Sequence, residues 1–407
     1  MENSLLIDKR LQGNPLELHL RTFATWLTEE GYAQGTVQEK LGLLTHLGKW
    51  LERTDRTVTN LDEQFLEAFA EHRQRVCRVN LKTLQQFLAH LRERDVVPDR
   101  KLVPDRSPLD ELLSRYERHL RSERGLMVRT VSAYQFFVRK FLEERFPKEP
   151  IVTQEVKACD ISAFVLRHSE GRSVKSVQQV TTALRSFFRY LFQKGELPVN
   201  LAASVPTVAN RRLSTVPRYL SLQEVERVLQ ACDRGTTVGR RDYAILLLLA
   251  RLGLRAGEVV ALQLEDIHWR SGKILVRGKG RVHDWMPVPV DVGEALASYL
   301  RQDRPRCQTR RVFVNAPAPR WGFASSSTVG EIVRRVFRRA DLHPASKGAA
   351  HLFRHSLGTF LLRSGAKMGE VGEVLRHRDL NATEIYAKVD FEGLRSLAQP
   401  WPMGGAQ

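Results

Sequence analysis

Cysteine is scarce in this sequence: 407 residues hold four, Cys77, Cys159, Cys232 and Cys307, and no two form a CxxC pair. Such scatter excludes a disulfide framework and a thiolate zinc site, and fits reduced bystanders in a cytoplasmic protein. Long apolar runs are missing as well. The longest, Ala244 to Ala250, falls far below the roughly 18 residues that a membrane helix needs, so no membrane partner is expected. The opening MENSLLIDKR places acidic Glu2 ahead of three consecutive apolar residues, a pattern expected of neither a secretory signal nor a transit peptide. There is no GxxxxGK[ST] loop and no cluster of acidic residues. Neither ATP nor a metal ion is therefore expected, and the chemistry is read as cofactor-free.

Positive charge is abundant. Lys and Arg number 64 against 46 Asp and Glu, a net of +18 at pH 7, and such a field attracts polyanions, nucleic acid first among them. The balance of 42% apolar and 27% charged residues is that of a globular chain, and its length exceeds what one hydrophobic core usually serves. Two proline-bearing polar stretches, Val96 to Pro108 and Val205 to Pro217, read as linkers. They divide the chain into a piece over 1–100, a second over 101–207, a third over 218–390, and a tail over 391–407. Net charge is −1 over 1–100, +9 over 101–218 and +10 over 219–407, so the polyanion-attracting field belongs to the second and third pieces.

The first two pieces look like copies of one helical unit. FATWLTEEGYAQGTVQEKLGLLTHLGKWLE and YERHLRSERGLMVRTVSAYQFFVRKFLEE both carry apolar residues at helical spacing around a turn, with GTV at Gly35 answered by RTV at Arg129. The third piece is mixed. Ser221 with Glu224 forms a capping-box signature, RRDYAILLLLARLG reads as a buried helix, and KILVRGKGRVHDWMPVPV predicts a β-hairpin from about Lys273 to Val290. A further strand-like run, RVFVN, spans Arg311 to Asn315. The fold class is thus mainly α, with a small antiparallel β-sheet in the C-terminal domain and helical N-terminal domains before it.

Four motifs of the third piece carry chemistry. In GLRAGEVV, Arg255 and Glu258 stand three apart, so on a helix they share a face and the carboxylate can orient the guanidinium; alone, such a pair is an ordinary solvated face. In RGKGR, a glycine turn lets Lys279 approach a phosphate backbone and donate a proton, although a lone hairpin-tip lysine would mean little. HLFRHSLGTFLL places His351 and Arg354 three apart, a proton carrier beside a group suited to two-point phosphate contact. His355 points elsewhere on the helix and is read as structural or phosphate-contacting. In VLRHRDLNATEIYAKVD, His377 precedes Tyr386 by nine residues. A phenol of pKa about 10 is a poor nucleophile unless cations and a base activate it.

In order and spacing, GLRAGE, GKG, HLFRH and RH with Tyr nine residues later resemble the signature boxes of the tyrosine recombinase or phage integrase family. The likeness runs from Tyr219 to about Asp390, with an integrase-like core-binding helical unit at 108–200, which the first piece would duplicate. It implies a site-specific recombinase that breaks and rejoins DNA through a 3′-phosphotyrosine link, in the integration, excision or transposition of a mobile element. Arg255 and Arg354 would clamp the scissile phosphate, and Lys279 would protonate the leaving 5′ oxygen. His351 would help deprotonate Tyr386, His377 would donate to the phosphate, and Glu258 would support from behind. The implied partner is double-stranded DNA, bound by a homotetramer on paired sites, with or without partner recombinases. One departure stands out: Arg376 occupies the place where the family usually has glycine. The competing readings are a DNA topoisomerase with the same nucleophile, and a DNA-binding regulator with its chemistry lost; competent groups at all six positions argue against the latter.

Overall fold

The computed structural model describes residues 11–74, 80–98, 107–147, 150–209, 218–278, 283–343, 348–377 and 382–389. Lys279, much of both linkers and the tail over 391–407 lie outside the described residues. The chain divides into two compact units, one of Met1–Asp99 with Thr215–Gln407, the other of Arg100–Ser214.

Among the described residues up to Pro98 the main helices are α1 (Glu17–Glu29), α2 (Gln34–Arg53), α3 (Glu63–Gln74) and α4 (Leu81–Arg92). Leu20, Phe23 and Leu27 of α1 recur at helical spacing and are buried with Leu44, Leu47 and Leu51 of α2 and Phe87 and Leu91 of α4. The described residues of the second unit include the α-helices α5 (Pro108–Arg118), α6 (Val128–Arg145), α7 (Ala158–Arg167) and α8 (Val174–Gln193). Its core is aromatic: Phe141 meets Phe164 and Phe188 edge-on at 5.3 and 5.6 Å. The paired GTV and RTV tripeptides both fall in the first turn of the second helix, where Val37 and Val131 are buried.

The C-terminal part of the first unit is built around α10 (Thr237–Arg251), in which Ala244 to Leu249 are fully buried. Before it comes α9 (Leu222–Gln230), opened by the expected capping box: the Glu224 N–H donates to Ser221 Oγ at 3.2 Å and the Ser221 N–H to Glu224 Oε2 at 2.7 Å. After α11 (Ala256–Ala261) the chain forms an antiparallel sheet in the order β1 (Ile267–His268), β2 (Lys273–Arg277), β3 (His283–Pro287). The hairpin is the one expected, with Lys273 opposite Pro287 and Arg277 opposite His283, while the two-residue β1 adds a third strand that the sequence pattern does not announce. RVFVN differs from expectation. Val312, Phe313 and Val314 are buried, but the segment makes only single bridges, Gln263 with Arg311 and Val314 with Gly322, because loops rather than a strand run beside it. Then follow α12 (Val290–Ser298), α13 (Ser326–Arg339), α14 (Ala349–Arg363), α15 (Met368–Val374) and a 3-10 helix, Glu384–Val389. No helix among the described residues is long and apolar enough to cross a membrane.

Candidate active site

The site gathers at the ends of α10, α11 and α15 and along α14. Arg255 is the N-cap of α11, with an extended backbone. Glu258 in the first turn bends back to it, accepting the Arg255 N–H at 2.9 Å and the guanidinium Nη1 at 2.7 Å. The three-residue spacing therefore works through a helix cap rather than along a helix face, and it leaves the half-exposed guanidinium aimed but accessible. Burial alone would raise the Glu258 carboxyl. The Arg255 N–H, Arg376 and the Arg255 side chain outweigh it and hold the group below its ordinary range.

Arg354, on α14, is 4% exposed. Its Nη1 donates to the Gly253 carbonyl at 2.6 Å and its Nη2 to the Leu375 carbonyl. Gly253 has φ +58°, and a Cβ there would stand 2.9 Å from the Leu375 side chain, so the turn that offers this carbonyl needs glycine. Burial first, and then the charge of Arg255, bring Arg354 down to about 10. It is still cationic at neutral pH; its hydrogen-bond partners are neutral carbonyls, and the Glu258 carboxylate offsets its charge only in part.

Tyr386 is fully buried. Its ring lies against α14 at Gly358, where a Cβ would stand 2.6 Å from the tyrosine Cζ. The hydroxyl donates to the Arg354 carbonyl at 3.5 Å and lies 3.2 Å from His355 Nδ1. Burial raises the phenol to about 12, against the opposing pull of Arg354 and Arg255. The His377 ring runs parallel to the tyrosine ring, 6.3 Å between centroids, and its Nδ1 meets Thr383 Oγ1 at 2.7 Å. Burial and the neighbouring Arg354 and Arg255 lower His377 to about 4, which leaves it neutral at pH 7.

Of the residues singled out from the sequence, Arg255, Glu258, Arg354, His377 and Tyr386 come together here. His351 sits on an exposed position in the first turn of α14, its ring 6.5 Å from that of His355, and Lys279 lies outside the described residues. His355 does not point away, as its place one residue after Arg354 suggests, but touches the tyrosine hydroxyl. The signal was available: His351 and His355 stand four apart and so share a helix face. Arg376 was noticed only as a departure, and Gly358 gave no sign, because a glycine within an apolar helix reads as neutral until its partner ring is known.

Comparison with known proteins establishes the family and the fold. Residues 218–392 match the Phage integrase family, and residues 113–195 match its N-terminal SAM-like domain. A Sinorhizobium fredii (strain NBRC 101917 / NGR234) protein, "Putative integrase/recombinase y4rA", is 40% identical over 396 residues, spanning 97% of this chain and 96% of its own. Tyrosine recombinase XerD of Listeria monocytogenes serotype 4b (strain F2365) is 29% identical over 291 residues, 69% of this chain and 95% of its own. Among solved structures, XerH bound to palindromic difH substrate superposes with a TM-score of 0.56 at 21% identity, over 75% of this chain and 92% of that one. A lambda integrase(75-356) dimer bound to a COC' core site gives 0.52 at 17%, over 72% and 98%. These two likenesses are of fold. The chain belongs to the phage integrase family of tyrosine recombinases. As an enzyme, it is a site-specific DNA recombinase.

Proposed function

We propose that this chain cleaves double-stranded DNA with Tyr386 and rejoins it without a cofactor, in the integration, excision or transposition of a mobile element. The tyrosine oxygen attacks the scissile phosphorus, the bond to the 5′ oxygen breaks, and the 3′ phosphate stays on the protein. Arg255 and Arg354 hold the non-bridging oxygens and stabilise the charge that builds on them. Lys279 protonates the leaving oxygen, His377 donates to the phosphate, and the imidazoles of His351 and His355, one turn apart on α14, are the acceptors at hand for the phenolic proton. Glu258 keeps Arg255 in place. The observation that carries this reading is the convergence of two arginines, two histidines and one tyrosine, drawn from three separated motifs of the sequence, in one pocket around Tyr386.

DNA is gripped by the second and third pieces, since residues 101–218 and 219–407 carry net charges of +9 and +10, so binding weakens steeply with salt. Strand exchange takes place in a homotetramer on paired sites, with residues 391–407 making contacts between subunits. Residues 1–100, net −1, serve protein contact rather than an independent DNA grip. Deleting them is expected to impair pairing of sites while sparing affinity for one site; a tenfold loss of that affinity, about 1.4 kcal/mol, would instead make this piece a DNA-binding arm.

The central test is covalent capture of a nicked suicide substrate. Tyr386→Phe should bind DNA as the parent does yet give no protein–DNA adduct. An adduct formed by the Phe variant would move the nucleophile to another residue.

A further inference from the structure

Arg376 stands where the family usually carries glycine, and the backbone explains the glycine. α15 ends in a Schellman arrangement: the Arg376 N–H donates to the Glu373 carbonyl at 2.9 Å and the His377 N–H to the Gly372 carbonyl at 2.8 Å. This places Arg376 at the left-handed position, φ +53°, where a Cβ is strained and glycine is not. An arginine kept there is expected to act through its side chain. That side chain is 8% exposed, its Nη1 reaches the Met286 sulfur, and its Nη2 donates to Glu258 Oε2 at 2.8 Å.

Glu258 is therefore shared. Oε1 accepts the Arg255 guanidinium, while Oε2 accepts both the Arg255 N–H and Arg376. A carboxylate held from both sides cannot rotate, and the guanidinium that leans on it is fixed in turn. Arg376 also faces the same pocket as the other arginines: after burial and Arg255, its charge is among those that hold Arg354 down.

We propose that Arg376 is a positioning residue for DNA cleavage, holding Arg255 against the scissile phosphate through the shared Glu258 carboxylate. The proposal rests on the reading of Arg255 as a phosphate ligand. It gives this chain a three-membered Arg255–Glu258–Arg376 brace, where a glycine would leave Glu258 held from one side.

The test is single-turnover capture of saturating nicked suicide DNA by the full chain, with affinity and thermal unfolding measured alongside. Arg376→Gly should slow capture roughly tenfold, about 1.4 kcal/mol, with DNA affinity unchanged and the unfolding temperature unchanged or raised, because the strain at this position is relieved. Arg376→Lys keeps a cation within reach of Glu258 and should recover part of the rate. In a Glu258→Gln background, Arg376→Gly should cost little more, since the two act through one carboxylate. Capture by Arg376→Gly at the parental rate would overturn the proposal, as would an additive effect with Glu258→Gln. A parallel loss of rate and unfolding temperature would also overturn it, by making Arg376 a structural residue only. If the parent itself forms no adduct, or Tyr386→Phe forms one, the fault lies with the nucleophile assignment; a parent that captures through Tyr386 beside an unaffected Arg376→Gly isolates the failure to this brace.

Discussion

The arginine side of the site and the tyrosine side follow opposite rules. The guanidinium groups of Arg255, Arg354 and Arg376 are tied by hydrogen bonds of 2.6 to 2.8 Å to the Glu258 carboxylate and a turn carbonyl, so their charges are set in place before any ligand arrives. Tyr386 is held by packing: its ring rests on Gly358, and its hydroxyl has a 3.5 Å contact to a carbonyl and a 3.2 Å contact to a histidine. Hydrogen-bonded charge is preorganised and expensive to move, whereas a packed ring on a short 3-10 helix can be withdrawn. With the roles proposed above, phosphate recognition would be built into the resting fold, while attack by Tyr386 would require its buried hydroxyl first to be exposed.

Removing one arginine should have the largest effect on this division. Arg354→Ala deletes preorganised charge and strands the Gly253 and Leu375 carbonyls, so single-turnover capture should fall by about 10²–10³. A loss confined to DNA affinity, with the rate at saturation intact, would mean that Arg354 binds DNA without serving the reaction.

Next in size is Gly358→Ala. The added methyl meets the Tyr386 ring, and overpacking of this kind destabilises by about 1–3 kcal/mol. In a Tyr386→Ala background the clash has no partner, and the same change should become neutral or stabilising, since alanine favours a helix over glycine by up to about 1 kcal/mol. Equal destabilisation in both backgrounds would place the conflict elsewhere, at the neighbouring Leu375.

The smallest effect concerns pH. Burial lowers His355 to about 4, with His351 and Arg354 adding to the shift. Between its folded value and the ordinary 6.5, the unfolded chain binds more protons, so stability rises with pH through that window and falls on acidification. His355→Gln should remove part of the fall between pH 6.5 and 4, about 1 kcal/mol after allowance for partial exposure, or roughly 2–4 °C in unfolding temperature. Identical pH profiles for parent and variant would show that His355 is not held neutral by this pocket.

Much of this site was legible in the sequence because its chemistry is borne by charged residues in short local patterns. Arg255 and Glu258 lie within one turn, His377 and Tyr386 are nine residues apart, and the capping box at Ser221 and the hairpin from Lys273 follow from local rules as well. What escaped depends on tertiary contact. The approach of His355 to Tyr386 joins residues 31 positions apart, and the Arg376 bond to Glu258 spans 118. The RVFVN segment has the composition of a strand but lacks a strand as neighbour, which no local pattern encodes. The two-residue β1 is likewise defined by its partner and not by its own residues.

The bond from Arg354 Nη2 to the Leu375 carbonyl has a consequence for timing. A phosphate oxygen that took this N–H, rather than one of the guanidinium's remaining donors, would displace the carbonyl at the end of α15, the element that leads into His377 and Tyr386. In that case arrival of DNA and release of the proposed nucleophile's segment would become a single exchange of acceptors. Hydrogen exchange over residues 382–389 should quicken with DNA bearing an ordinary scissile phosphate and remain slow with a neutral methylphosphonate at that position. A recombinase wired this way would keep its tyrosine sheathed until the correct bond is in hand.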